Sequence, residues 1–207
     1  VPDSLVMRVG GLPQFTDKGK YQRTWSTEGL YNEYTKDCQV LEDGNIKTVK
    51  ALDGYSDDGV YESFYTSGGI SHSVKSFKDK GITNACYKTL RYTGHRKLIL
   101  PLISKLSKEK ALKVFEQLFP TTKDDVVHLE VTLEFGRTRI TYQNAWYSDH
   151  EMTAMQKMTA LPASTVVHML AAGDFDHLDN KVLNYSQINF SAFSTTLERL
   201  GIKSEIA

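Results

Sequence analysis

Nine consecutive residues, 87–95, bring together two phenols, two cations, two hydroxyls and an imidazole. In an extended strand Lys88 would lie on one face, whereas Tyr87, Thr89 and Arg91 would lie on the other. A guanidinium such as that of Arg91 can bind a carboxylate through two parallel hydrogen bonds, and an ammonium group supplies a more compact charge. The same pattern is also typical of an exposed strand whose cations reach into solvent. The residues alone leave both interpretations open.

Two smaller polar clusters lie earlier in the chain. Ser26 can cap a helix that has Glu28 in its first turn. Alternatively, Trp25 forms an aromatic wall and Glu28 binds an ammonium group. Thr66 and Ser67 follow a predicted strand and precede two glycines, which indicates either a plain turn or a loop that contacts a substrate.

The sequence lacks the motifs that are typical of several kinds of functional site. The phosphate-binding patterns GxGxxG and GxxxxGK[ST] are absent, and the pairs at 10–11 and 68–69 are typical of turn glycines. The histidines show no HxxxH, HExxH or HxH spacing, and no GxSxG motif occurs, so we expect no metal site and no serine nucleophile. Cys38 and Cys86 form no CxxC pair, which predicts reduced thiols and a cytoplasmic protein.

Composition excludes other classes of protein. The 207 residues include 25 Lys and Arg, 25 Asp and Glu, and 40% hydrophobic residues, as in a globular chain of one or two domains. Zero formal net charge argues against a nucleic-acid partner, because such proteins usually carry a basic excess. No apolar run approaches the roughly 18 residues that would cross a membrane, so we expect no membrane partner.

Hydrophobic periodicity predicts the elements that position these clusters. A strand over 5–9 should end in a sharp turn at Gly10-Gly11-Leu12-Pro13. Further strands are predicted over 40–41 and 46–49, joined by an Asp43-Gly44 turn, and over 60–65, 87–92, 127–135 and 137–147. Helices are predicted within 21–34 and over 95–106, 108–119, 151–159, 162–172 and 190–200. This order favours an α+β fold with a mixed, largely antiparallel sheet.

The three clusters, in this order, resemble the saccharopine dehydrogenase family, and most of all its lysine 6-dehydrogenase branch. The matching stretches are GGLP at 10–13, WSTEGLYNEY at 25–34, FYTSGG at 64–69, YKTLRYTGH at 87–95, TAM at 153–155 and VVHMLAAG at 166–173. Each stretch is weak by itself, but the ordered set is specific. Thr27 and Thr93 depart from the family pattern, since relatives often have proline at both positions.

The resemblance implies a fold and a place within a larger protein. It covers only the domain that follows the family's Rossmann domain, a mixed sheet with helices on one face, as in the C-terminal domain of glyceraldehyde-3-phosphate dehydrogenase. We therefore expect residues 1–207 to be a substrate-binding and dimerisation domain without its Rossmann partner. The start without methionine favours an excised domain. Residues 148–207 are expected to form a helical tail that packs against the missing domain.

The resemblance also implies an activity. The parent enzyme would oxidise a C–NH bond of an amino acid such as lysine or saccharopine by hydride transfer to NAD or NADP, bound mainly by the missing domain. The chain alone would be inactive, and a homodimer is expected. The residues matched to these roles are Lys88, Tyr92 and His95 for catalysis; Trp25, Ser26, Glu28, Thr66, Ser67 and Arg91 for substrate; and Gly10 and Gly11 for the cofactor.

Two other functions stay open at this point. One is a non-enzymatic dimerisation or ligand-binding module. The other is a reductase or synthase of the carboxynorspermidine or homospermidine type, which would share the same domain. The presence of a preceding strand, GxGxxG and helix would favour an enzyme over a module. A panel of lysine, saccharopine and polyamine substrates would separate the two enzyme types.

Overall fold

The computed structural model describes residues 1–15, 21–178, 183 and 185–202. Within these residues eight strands form one sheet, and six α-helices accompany it. The strands are β1 (Ser4–Pro13), β2 (Cys38–Glu42), β3 (Asn45–Val49), β4 (Ser56–Asp57), β5 (Tyr61–Tyr65), β6 (Asn84–Tyr92), β7 (Asp125–Phe135) and β8 (Thr138–Tyr147). The helices are α1 (Thr27–Thr35), α2 (Val74–Asp79), α3 (His95–Lys105), α4 (Lys108–Leu118), α5 (Ala154–Ala171) and α6 (Phe190–Arg199).

The sheet is mixed and largely antiparallel, as the sequence predicts. Its main path runs β3-β2-β6-β1-β7-β8, with β5 attached to β6 and β4 to β5. β1 and β6 pair in parallel, and the other described pairs are antiparallel. The predicted α+β class is therefore confirmed. β6 is central, because it contacts β1, β2 and β5.

The two faces of the sheet differ in character. Leu5 and Met7 of β1 belong to an apolar cluster with Val74 of α2, and α5 packs against β7 and β8 on the same side. The opposite face carries Arg8 and Glu130, whose side chains form an ion pair 2.5 Å long. Because neighbouring residues of a strand alternate between faces, this opposite face, called the open face below, is polar.

Buried carboxylates fix the start of two helices. Asp125 accepts hydrogen bonds from the backbone N–H groups of Ala154, at 2.6 Å, and Met155, at 3.0 Å, at the first turn of α5. Glu62 accepts from the backbone N–H groups of Gly94 and Arg96 at the start of α3. A carboxylate is stabilised at this end of a helix by the free N–H groups and the helix dipole. The two helices are thereby tied to β7 and β5.

Several predicted local features are confirmed. Asp43 and Gly44 both have positive φ, 51° and 72°, as a type I′ turn between β2 and β3 requires. The hydroxyl of Ser26 accepts the backbone N–H of Gly29 and caps α1. The hydroxyl of Ser107 caps α4 in the same way through Lys110. These features depend on local chemistry, so the sequence alone predicts them.

Three local predictions are wrong. The glycines at 10 and 11 form no turn, because β1 continues through them to Pro13. The two helices predicted over 151–159 and 162–172 are one helix, α5, with Pro162 inside it. A proline removes one backbone hydrogen bond, and the buried Ala154 and Met169 anchor the helix on both sides of that gap. The polar segment after Gly69 contains the unpredicted helix α2.

The C-terminal segment packs on the chain's own sheet. α5 contacts β7, β8 and α6. The expected packing of 148–207 against a further domain stays a prediction, and residues 179–182, 184 and 203–207 of this segment lie outside the described residues. No helix in the part of the chain that the structure describes is both long and apolar enough to span a bilayer.

Candidate functional site

Arg91 on β6 is a charged residue held inside the protein. Its side chain is 1% exposed. Nε donates to the hydroxyl of Tyr34 at 2.7 Å, Nη2 to the Glu33 carboxylate at 3.1 Å, and Nη1 to the carbonyl of Leu90 at 2.8 Å. The guanidinium also lies 5.2 Å from the ring centroid of Tyr21. An arginine cannot lose its charge at this depth, so these partners keep a permanent cation in a fixed orientation.

Glu33 on α1 is the counter-charge of Arg91. Its side chain is 15% exposed, and burial raises its pKa to about 7, although the nearby Arg91 charge acts in the opposite direction. Among the described residues, Arg91 is the hydrogen-bond donor to this carboxylate. The pair therefore combines a fixed cation with a carboxyl group that changes its protonation state near neutral pH.

The pair borders a small cavity, and a larger cleft lies next to it and shares part of its lining. The inner cavity has a volume of about 90 Å³, and its lining includes Trp25, Glu33, Tyr87, Thr89, Arg91 and Met155. The outer cleft has a volume of about 680 Å³, and its lining includes Trp25, Met152, Met155, Gln156 and Thr159. Thr24, Trp25 and Met155 line both spaces. We call the two spaces together the two-chamber site.

A buried donor belongs to Trp25, a residue that lines both chambers. Nε1 of Trp25 is buried and has no hydrogen-bond acceptor among the described residues. An unsatisfied buried donor costs roughly 1–3 kcal/mol. An acceptor atom on a bound molecule would remove this cost, so the indole favours a polar ligand beside it.

Gly11 makes room for the wall between the chambers. A Cβ at Gly11 would lie 2.7 Å from the Sδ of Met155, and one at Gly10 would lie 2.8 Å from the Cβ of Leu90. Both glycines therefore allow close packing against β1, by β6 at Gly10 and by α5 at Gly11. They do not form the glycine-rich turn at a helix N-terminus that binds a pyrophosphate, so at these positions the structure does not fit a dinucleotide.

Two other predicted substrate residues lie behind the inner chamber. The hydroxyl of Thr66 is 2.6 Å from that of Thr89, which lines the cavity. Ser67 donates to the backbone carbonyl of Asn32 at 3.0 Å and ties the end of β5 to α1. Both residues support the site from outside it.

The residues of the predicted cluster at 25–28 lie in different places and have different contacts. Trp25 lines both chambers, whereas Ser26 caps α1. Glu28 has an exposed side chain (62%) and pairs with Lys108 at 2.5 Å. The hydrogen bond from Lys108 lowers the pKa of Glu28. Among these three residues, the structure places Trp25 alone in the two-chamber site.

The three residues matched to catalysis are not brought together. Lys88 extends from the other face of β6, with Nζ 5.5 Å from the ring centroid of Tyr65, and burial lowers its pKa. Tyr92 donates to the carbonyl of Pro13 at 2.8 Å on that same face. His95 begins α3 and is buried. Its catalytic role, like that of the other two, stays a prediction.

His95 belongs to a buried chain that ends at Arg91. Its Nε2 is 2.9 Å from the hydroxyl of Tyr34, which also accepts the Nε–H of Arg91. Burial first, and the Arg91 charge second, lower the pKa of His95 well below its usual value, so the imidazole is neutral at pH 7. Tyr34 then donates to Nε2, and the two rings hold the guanidinium in place.

Glu33, Tyr34 and Met155 are site residues that the sequence analysis does not select. A signal for Glu33 exists in the sequence. It lies three residues after the buried Leu30, so it lies beside Leu30 on the inner face of α1. A carboxylate on the apolar face of a helix needs a partner, but the helix phase must be known before the sequence shows this.

The structure contains no arrangement typical of a metal site within the residues it describes. No group of three or more histidine, cysteine, aspartate and glutamate side chains there is positioned to hold an ion. Cys38 and Cys86 are both free, and burial raises the pKa of Cys38 to about 12. The Cys38 thiol is therefore protonated at neutral pH. Neither cysteine lines the two-chamber site.

Fold and site together define an α+β domain whose mixed sheet supports a buried arginine beside a ligand-sized cleft. The family model described as the saccharopine dehydrogenase C-terminal domain matches residues 2–204, almost the whole chain. The chain therefore belongs to this family, whose members are parts of dehydrogenase-type oxidoreductases. The predicted family is confirmed at this level.

Proposed function

We propose that this chain is the substrate-binding and dimerisation part of an NAD(P)-dependent amino-acid dehydrogenase of the lysine or saccharopine type. Family membership supports an oxidoreductase. The observation that carries the substrate class is the buried Arg91 cation at the wall of the inner chamber. A guanidinium matches the geometry of a carboxylate, which it can bind through two parallel hydrogen bonds.

The residues of the chain would bind and orient the substrate. Three of the five N–H groups of Arg91 donate to described residues, which leaves two for a ligand carboxylate. Trp25 and Met155 would cover the outer chamber and keep water from the reacting carbon. The nicotinamide, when bound, supplies the hydride acceptor. Since Gly10 and Gly11 lie within β1 and pack against Leu90 and Met155, we assign cofactor binding to a separate nucleotide-binding domain.

The proposal extends to finer points that family membership alone does not define. We assign the chain to a cytoplasmic enzyme of the lysine 6-dehydrogenase type, active as a homodimer. Without the nucleotide-binding domain, the chain should form no NADH or NADPH from lysine. Measurable turnover by the 207-residue chain would contradict this part of the proposal.

Ligand binding to the chain tests the proposal directly. Isothermal titration with L-lysine and L-saccharopine should give saturable binding, whereas spermidine, which has no carboxylate, should not bind. Arg91→Lys keeps the charge but loses the planar fork, so it should weaken binding by about tenfold or more. Arg137→Lys, at the exposed turn between β7 and β8 and outside both chambers, is the matched control and should change nothing. Failure of both amino acids to bind, or equal binding by the Arg91→Lys chain, would contradict the proposal.

A further inference from the structure

We infer that Glu33 binds the ammonium group of the amino-acid ligand while Arg91 binds its carboxylate, so that the pair selects zwitterionic head groups. This inference rests on the proposed function, since it presupposes an amino-acid ligand in the two-chamber site. It assigns to Glu33 the contact that the sequence analysis gives to Glu28.

The geometry of the pair matches the geometry of the head group. An α-amino acid carries its ammonium and carboxylate on one carbon. Arg91 and Glu33 likewise present a cation and a carboxylate 3.1 Å apart, and both line the inner chamber. A zwitterion placed beside them would face each of their charges with its opposite. A ligand that has only the carboxylate would leave Glu33 uncompensated.

Glu33 retains capacity to accept hydrogen bonds. A carboxylate offers about four lone-pair directions, and among the described residues Arg91 supplies the donor to Glu33. A buried carboxylate with few donors is stabilised by a further cation. An ammonium group brings three donors and a positive charge, which is the type of group that this environment favours.

Glu28 does not fit the same role. Its carboxylate pairs with Lys108 at 2.5 Å, and both side chains are largely exposed to solvent. An exposed ion pair contributes little energy and little selectivity. Glu28 also lies outside both chambers, which are lined instead by the neighbouring Trp25.

The remainder of the two-chamber site suits an amino acid with a long aliphatic side chain. The lining of the outer chamber includes the apolar Trp25, Met152 and Met155 and the polar Glu151, Gln156 and Thr159. An alkyl chain would contact the thioethers and the indole, and a polar group at its end would reach the amide and hydroxyl. The head group would then occupy the inner chamber.

A ligand pair that differs in the α-amino group tests the inference. L-lysine and 6-aminohexanoate share their carboxylate, alkyl chain and distal ammonium, but 6-aminohexanoate lacks the α-amino group. Isothermal titration of the chain should show that lysine binds about tenfold tighter or more. Glu33→Gln should remove this preference, because it weakens lysine binding and no longer leaves an uncompensated carboxylate beside bound 6-aminohexanoate.

Two further variants complete the design. Glu28→Gln is the matched control and should keep the full preference for lysine. Glu33→Asp keeps the charge on a shorter side chain, so it should retain part of the preference, and it replaces Glu33→Gln if that variant does not fold. Circular dichroism and thermal melting establish that each variant is folded.

The possible results separate the inference from the proposed function. If the chain binds both ligands and Glu33→Gln keeps the preference, or loses affinity for both ligands equally, the inference is wrong and the amino-acid site stands. If the unaltered chain binds both ligands with equal affinity, the inference is likewise wrong and the amino-acid site stands. If the unaltered chain binds neither ligand, the inference and the proposed function both fail.

Discussion

At the scale of single residues, the site depends on how the protein compensates the buried charge of Arg91. Burying an ion pair has a desolvation cost that can exceed the attraction between the two charges, unless further hydrogen bonds stabilise them. Tyr34 supplies such a bond to Arg91, and His95 in turn supports Tyr34. Glu33 accepts a single such bond from the described residues, so burial raises its pKa despite the nearby Arg91 charge, while Arg91 keeps its charge.

Glu33 should make the stability of the chain depend on pH. Its folded pKa of about 7 lies above the ordinary value of 4.5. The folded state therefore holds a proton that the unfolded state has already lost, and the resulting stabilisation, present below pH 4.5, is lost as pH rises through 7. Between pH 5 and pH 8 the free energy of unfolding should fall, relative to Glu33→Gln, by on the order of 2 kcal/mol.

Urea denaturation of both chains at the two pH values measures this difference. Glu28→Gln is the control, because Glu28 is exposed and its pKa shift is in the opposite direction. A difference between the unaltered chain and Glu33→Gln that is the same at pH 5 and pH 8 would show that Glu33 does not titrate in this range.

At the scale of secondary-structure elements, local chemistry explains which parts of the fold the sequence predicts. The hairpin at Asp43-Gly44 and the cap at Ser26 follow from residues close in sequence, and both are confirmed. β1 continues through Gly10 and Gly11 because both residues pair with β7, which is far away in the chain. Tertiary contacts of this kind override local turn preferences, and a single sequence does not show them.

The candidate site is predictable to a similar extent. Alternation along β6 separates Arg91 from Lys88 and Tyr92, and the structure confirms that these lie on opposite faces. Trp25 and Arg91, two of the predicted substrate residues, both line the inner chamber. Glu33 is missed, because its burial depends on the way α1 packs against the sheet.

The position of α5 should depend on Asp125 more than on its own cap. Asp125 is fully buried and bonds two N–H groups of α5, whereas Thr153 is an exposed cap on the same helix. Asp125→Ala should lower the free energy of unfolding by about 2–4 kcal/mol, and Thr153→Ala by about 1 kcal/mol. Asp125→Ala should also weaken lysine binding, because Met155 belongs to the first turn of α5. Urea denaturation and titration measure both effects, and equal losses for the two variants would contradict the prediction.

At the scale of the whole molecule, the sheet has one face covered by helices and one open face. On the open face the Glu130 carboxylate accepts hydrogen bonds from Arg8 and Gln143. Thr132 on the same face lies opposite Thr141 of β8. Paired opposite charges suit a two-fold interface, since each patch then meets a copy of itself. The proposed homodimer is therefore assigned to this open face.

Sedimentation of the chain and of one charge variant tests the position of this interface. The unaltered chain should sediment at micromolar concentration with twice the 23.4 kDa mass of one chain. Thr132→Arg would place two added cations near each other across a two-fold axis, so repulsion and lost packing should give a monomer with an unchanged circular dichroism spectrum. Thr195→Arg, on the exposed side of α6, should remain a dimer. If the Thr132→Arg chain is a dimer and the Thr195→Arg chain is a monomer, the interface lies on the helical side and not on the open face. If the unaltered chain is a monomer, the homodimer itself is contradicted.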